Sequence, residues 1–131
     1  MKVSFIGKIP DNLEDSLDSL EKLLNLAANK LGVGESDVVE ISFVSALKIK
    51  RLNQQYRQIN SPTDVLSFPQ AKTPAPLNVL GTIVVAPSVV AEKKEGMINV
   101  LLHGLLHLAG FDHEVDEKAW DEAAKKIGCK L

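Results

Sequence analysis

Residues 103–113 read His103-Gly104-Leu105-Leu106-His107-Leu108-Ala109-Gly110-Phe111-Asp112-His113, and they contain all three histidines of the chain. His103 and His107 are four apart, so on a helix they share a face one turn apart. Gly110 stops that helix and permits the left-handed turn that sends the chain back. His113 follows the turn and offers a third nitrogen. A histidine pair at this spacing is, alone, more often packing than a site. The glycine turn and the third histidine move the expectation to metal binding. Three neutral imidazoles suit zinc, and also copper, nickel or iron. Availability and tetrahedral preference favour one Zn2+ per chain, at about 2.0–2.1 Å from each nitrogen. Three protein ligands leave a fourth position for water, the arrangement of a catalytic site. Zinc lowers the pKa of that water to about 7. The flanking Val100, Leu101, Leu102, Leu105, Leu106 and Leu108 are expected core.

Outward from this helix the pattern is α+β. A small sheet of about four strands packs with about five helices, one of them a zincin-like helix carrying the metal site. Lys2 to Ile6 reads as a strand. Asp11 and Glu14 then suggest a capping box, with Leu13, Leu17, Leu20, Leu24, Ala28 and Leu31 as one apolar stripe ending at Gly32. Val39 to Val44 alternates as a half-buried strand. Ser45 to Arg57 reads as a helix with Leu47, Leu52 and Tyr56 inward. Asp64 to Phe68 is a strand ending at Pro69, and Pro69 to Asn78 a proline-rich loop. Leu80 to Ala86 is apolar and β-branched, the signature of a central strand. A short helix over Ser88 to Lys94 is expected before the histidine helix. A last one over Asp116 to Ile127 should bury Ala119, Trp120, Ala123 and Ile127.

The chain has 131 residues, 45% apolar and 24% charged, which fits a single hydrolase domain over 1–131. Its one cysteine, Cys129, excludes an internal disulfide and a multi-cysteine zinc site, and suits a reducing compartment. No apolar run approaches the roughly 20 residues that span a bilayer. The opening residues read as a strand rather than a signal peptide, so a cytoplasmic protein without a membrane partner is expected. The net charge of −2 gives no bulk attraction to nucleic acid, and any such role needs a local patch. The only two arginines, Arg51 and Arg57, lie together in Lys48-Ile49-Lys50-Arg51-Leu52-Asn53-Gln54-Gln55-Tyr56-Arg57.

The histidine spacing is similar to the metzincin protease run H-E-x-x-H-x-x-G-x-x-H. There a glutamate after the first histidine is the general base. Here that position is Gly104, so a peptidase of that mechanism lacks its base.

The full run H-G-L-L-H-L-A-G-F-D-H resembles the H-G-x-L-H-L-x-G-[YF]-D-H motif of the YbeY family, bacterial zinc-dependent endoribonucleases of ribosomal RNA maturation. Asn53-Gln54-Gln55-Tyr56-Arg57 with Pro62-Thr63-Asp64-Val65-Leu66-Ser67-Phe68-Pro69 forms a second matching block. Leu80-Gly81-Thr82-Ile83-Val84-Val85 forms a weaker third. The resemblance covers roughly residues 47 to 114, in the family's order. It implies zinc at His103, His107 and His113, with Arg57 beside the metal in a cleft that accepts RNA. Ribosomal RNA, cut where it is single-stranded, is the implied substrate, in rRNA maturation and ribosome quality control. Small-subunit ribosomal components are the implied partners. Arginine's planar fork of donors suits phosphate oxygens, which makes Arg57 the catalytic candidate. Arg51 and Ser67 are candidate substrate contacts. Asp112 is read as a turn residue or as a support that orients a ligand histidine, ahead of a role as proton acceptor. There are two departures from the family. Thr82 stands where an aspartate is usual, and the stretch from Ala91 to Ile98 is shorter. Two alternatives follow, a zinc-stabilised ribosome-assembly factor with little catalysis and a zinc hydrolase of another substrate class.

Overall fold

A computed structural model describes residues 1–70 and 79–130. Its strands are β1 (Lys2–Gly7), β2 (Val38–Phe43), β3 (Val65–Pro69) and β4 (Val79–Val85). Its α-helices among the described residues are α1 (Leu17–Lys30), α2 (Ala46–Arg57), α3 (Pro87–Glu92), α4 (Met97–Leu108) and α5 (Glu117–Ile127). The proline-rich loop expected up to Asn78 lies, from residue 71 on, outside the described residues.

The four strands make one mixed sheet in the order β1-β2-β4-β3. β1, β2 and β4 run parallel, and β3 pairs antiparallel on the edge. The apolar Leu80–Ala86 run takes the interior place that its composition demands. On one face Val39, Ile41, Phe43, Ile83 and Val85 meet Leu20, Leu24 and Ala28 of α1, Leu101 and Leu105 of α4, and Trp120 and Ala124 of α5 in the main core. On the other face Leu66 and Val84 pack with Ile49 of α2 and Val89 of α3.

Two local expectations change. The capping box does not form: residues Asp11–Ser16 make a 3-10 turn without a side-chain cap, and α1 starts only at Leu17. Asp, Asn and Ser favour local turns over regular helix, and five of these six residues are polar. The inward face of α2 is also different. Ile49 and Asn53 are buried, while Leu47 is 57% and Tyr56 56% exposed, and Leu52 is half-buried. Leu47 stands nearly opposite Ile49 around the helix, so one cannot be buried with the other. Asn53 donates through Nδ2 to the Ser61 carbonyl at 2.9 Å, which ties the chain leaving α2 back onto it.

Candidate active site

α4 carries His103 and His107 and presses against the sheet between them. A Cβ on Gly104 would stand 3.0 Å from Cγ2 of Ile83. A side chain at this protease base position would therefore have to displace Ile83 of β4 by a few tenths of an ångström. Gly110 has φ +98° and turns the chain after α4, delivering Asp112, His113 and Glu114 to the same side as the two helix histidines. Asp112 Oδ1 accepts from the Glu114 N–H at 2.9 Å, and its carbonyl accepts from Val115 and Asp116. The turn reading of Asp112 is thus observed. Asp116 then caps α5, accepting from the Ala119 N–H at 3.0 Å.

His103, His107 and His113 line one cavity of about 580 Å³ together with Arg57, Asp64, Asp112 and Glu114. β3 contributes Val65, Leu66, Ser67 and Pro69 to its wall. Ser67 therefore reaches the cavity, but its hydroxyl donates to the Gly104 carbonyl at 3.3 Å. A larger adjoining space of about 810 Å³ shares His103, His113 and Asp64 but not His107 or Arg57. The smaller cavity is the chemical candidate, because it alone gathers the three imidazoles with a guanidinium. Arg51 is exposed on α2 and does not line it.

Trp120 is buried beneath the histidines. Its ring centroid lies 5.0 Å from His103, 4.9 Å from His107 and 5.4 Å from His113. This contact with all three was not legible in the sequence, where Trp120 read only as a core residue of the last helix. The His103 and His107 rings are 5.1 Å apart. Two imidazoles sharing a tetrahedral ion at 2.0–2.1 Å would place their centroids roughly 5 Å apart. His107 and His113 are 6.3 Å apart. Among the described residues no three His, Cys, Asp or Glu side chains, as placed, stand ready to hold an ion together. The helix pair has the spacing, and closing the set falls to His113, an exposed side chain on a turn. The donor chemistry fits zinc: three imidazoles, with no thiolate near.

The electrostatics suit ligands that must be neutral. Burial lowers the pKa of His103, with His107 adding to the effect and Asp64 opposing it. Burial also lowers His107, against the pull of Asp112. Both rings are therefore held in the unprotonated form that binds metal. Asp64 was not singled out in the sequence as a site residue. Burial pushes its carboxyl up, but a hydrogen bond with Glu95, the Lys93 charge, the Val65 N–H and the Thr63 hydroxyl outweigh this and hold it below the usual range. The Val65 N–H reaches Asp64 Oδ1 at 2.8 Å and the Thr63 hydroxyl at 3.2 Å. Glu95 is raised by its own burial and by Asp64. The sequence signal for Asp64 was its place in the second family-matching block, Pro62 to Pro69, at the start of a strand.

Thr82 lies away from the histidines. Its neighbour Ile83 faces Gly104 of α4, so the alternation of β4 turns Thr82 to the other face. There its hydroxyl donates to Glu40 Oε2 at 3.3 Å. Thr82 does not line the histidine cavity.

Comparison with known proteins bears on this arrangement. The family model described as endoribonuclease YbeY matches residues 8–127. The chain belongs to this family. It is 36% identical to the endoribonuclease YbeY of Thermotoga maritima over 129 residues, covering 92% of this chain and 77% of that one. It is 39% identical to that of Aliarcobacter butzleri over 115 residues, covering 80% of each. A solution structure of a Thermotoga maritima protein superimposes with a TM-score of 0.58 at 30% identity, covering 95% of this chain and 86% of that one. The family resemblance read from three short blocks thus extends over residues 8–127, the first helix included and the strand Lys2–Gly7 outside it.

Proposed function

We propose that this protein is a zinc-dependent endoribonuclease that cuts single-stranded RNA, with ribosomal RNA as its substrate in maturation and quality control. Membership of the YbeY family supports the nuclease class. The observation that carries the mechanism is one cavity lined by His103, His107, His113 and Arg57. His103, His107 and His113 would hold the zinc ion, which would supply Lewis acidity and lower the pKa of a bound water. The chain's own groups do the rest. The Arg57 guanidinium grips the phosphate with paired donors and offsets the negative charge that grows in the transition state. Trp120 packs beneath the three rings and limits their tilt. Gly104 keeps α4 close to β4, and so holds His103 and His107 at the cavity. Asp112 shapes the turn that presents His113. Among the described residues no helix is long and apolar enough to cross a membrane, in keeping with a substrate met in solution. Small-subunit ribosomal components would supply positioning that a chain of net charge −2 does not supply in bulk.

The test uses defined RNA and zinc-loaded protein. Arg57→Ala should retain zinc and lose cleavage by about 100-fold or more, the scale seen for removal of a transition-state charge donor. Cleavage by that variant at the wild-type rate would remove Arg57 from the mechanism. Absence of zinc-dependent cleavage by the wild type would overturn the endoribonuclease reading and leave an assembly factor.

A further inference from the structure

We propose that one face of α2, formed by Lys50, Gln54 and Arg57, is a track along which single-stranded RNA enters the cavity; this rests on the endoribonuclease reading above. No acidic residue occurs between Glu40 and Asp64, whereas Lys48, Lys50, Arg51 and Arg57 all fall there. In a chain of net charge −2 this is a concentrated basic surface. α2 buries Ile49 and Asn53, so its cations are turned outward or to the flanks. Steps of four and three residues put Lys50, Gln54 and Arg57 on one face, about 10 Å long. The same spacing puts Lys48, Arg51 and Gln55 on another. Arg57 lines the cavity, so the first face is continuous with the candidate site and the second is not. Lys50, rather than the second arginine, is therefore the cation aligned with Arg57.

The rest of the cavity rim explains the direction of entry. Its carboxylates, Asp64, Asp112 and Glu114, come from the lead into β3 and from the turn after α4. They disfavour a polyanion approaching over those elements. α2 contributes only positive charge. Tyr56, beside Arg57, is 56% exposed and held edge-to-face against Phe68 with centroids 5.1 Å apart. The ring is one residue from Arg57 but turned about 100° around α2 from it, so it can stack an unpaired base at the edge of the track rather than on it. A duplex, with its bases stacked inside, offers no face to it.

The experiment measures binding of a labelled polyuridine oligonucleotide to zinc-loaded protein across a salt series, with cleavage of a long single-stranded RNA in parallel. Lys50→Ala should weaken binding about three- to tenfold. It should flatten the log–log salt slope by about 0.7, the loss of one phosphate contact on a single strand. On long RNA it should raise KM and leave kcat unchanged, and Lys50→Arg should restore both. Lys48→Ala removes the same charge from the other face and should stay within about twofold of wild type. Equal losses in Lys48→Ala and Lys50→Ala would show bulk charge at work and overturn the track. So would wild-type behaviour of Lys50→Ala in a protein that cuts RNA, or undiminished affinity for the same sequence in a duplex. A wild type that neither binds nor cuts RNA would overturn the endoribonuclease reading and the track with it.

Discussion

A glutamate at position 104 would restore the base of a histidine-helix protease, but the Cβ of any side chain there already meets Ile83 at 3.0 Å. Gly104→Glu should destabilise the protein by about 3 kcal/mol or more, through overpacking and a buried charge without a partner. Thermal unfolding checks this, and an unchanged melting temperature would mean that α4 stands farther from β4 than described. His103 and His107 give a second residue-scale expectation. Their folded-state pKa values lie below the ordinary 6.5. Below about pH 6.5 the unfolded chain therefore binds protons that the folded one does not. Stability of the metal-free protein from these groups is complete above that pH and falls as the pH drops below it. Denaturant titrations from pH 8 to pH 5 measure the slope, and a rise in stability toward pH 5 would contradict the assignment. The three histidines and the glycine turn were legible because their geometry is local: one helical turn, one bend. Asp64 and Trp120 were not. Each reaches the histidines only through the tertiary fold, Asp64 from ahead of an edge strand and Trp120 from the following helix.

At the scale of elements, strand and helix types followed from periodicity, and faces followed only where the pattern was strong. α1 has a continuous apolar stripe, and Leu20, Leu24 and Ala28 are buried as its spacing requires. α2 has few apolar residues, and its burial was decided by Leu66 and Val84 on the sheet face it covers and by Val89 of α3, which its own sequence does not encode. Hence Ile49 and Asn53 went in and Leu47 stayed out. α5 ties the site to the core, since its capped start follows the histidine turn and its Trp120 underlies all three imidazoles. Asp116→Ala removes the side chain that accepts from Ala119 N–H and should cost about 1 kcal/mol. It should also weaken zinc affinity, because the turn bearing His113 ends at this cap. Melting and zinc titration of the variant check both. Loss of stability with unchanged affinity would separate the cap from the site.

For the whole molecule, the α+β class and the number of strands were readable, but the order β1-β2-β4-β3 was not. That order depends on which strands meet after the chain has crossed between faces, and no local spacing specifies it. It matters for function because it leaves β3 on the edge, where it borders the cavity beside α4. The chain contains one tryptophan, and it touches the three histidines. Its fluorescence should therefore change as zinc is titrated into metal-free protein, and the melting temperature should rise with free zinc by mass action. A melting temperature insensitive to zinc, with unaltered emission, would place any metal elsewhere.

The most direct measurement is zinc content per chain for the wild type and for His103→Ala, His107→Ala and His113→Ala, each confirmed as folded by circular dichroism. About one zinc per wild-type chain, lost from all three variants, is the predicted result. Zinc retained in full without His113 would contradict a three-histidine centre, as would a folded wild type that binds no zinc.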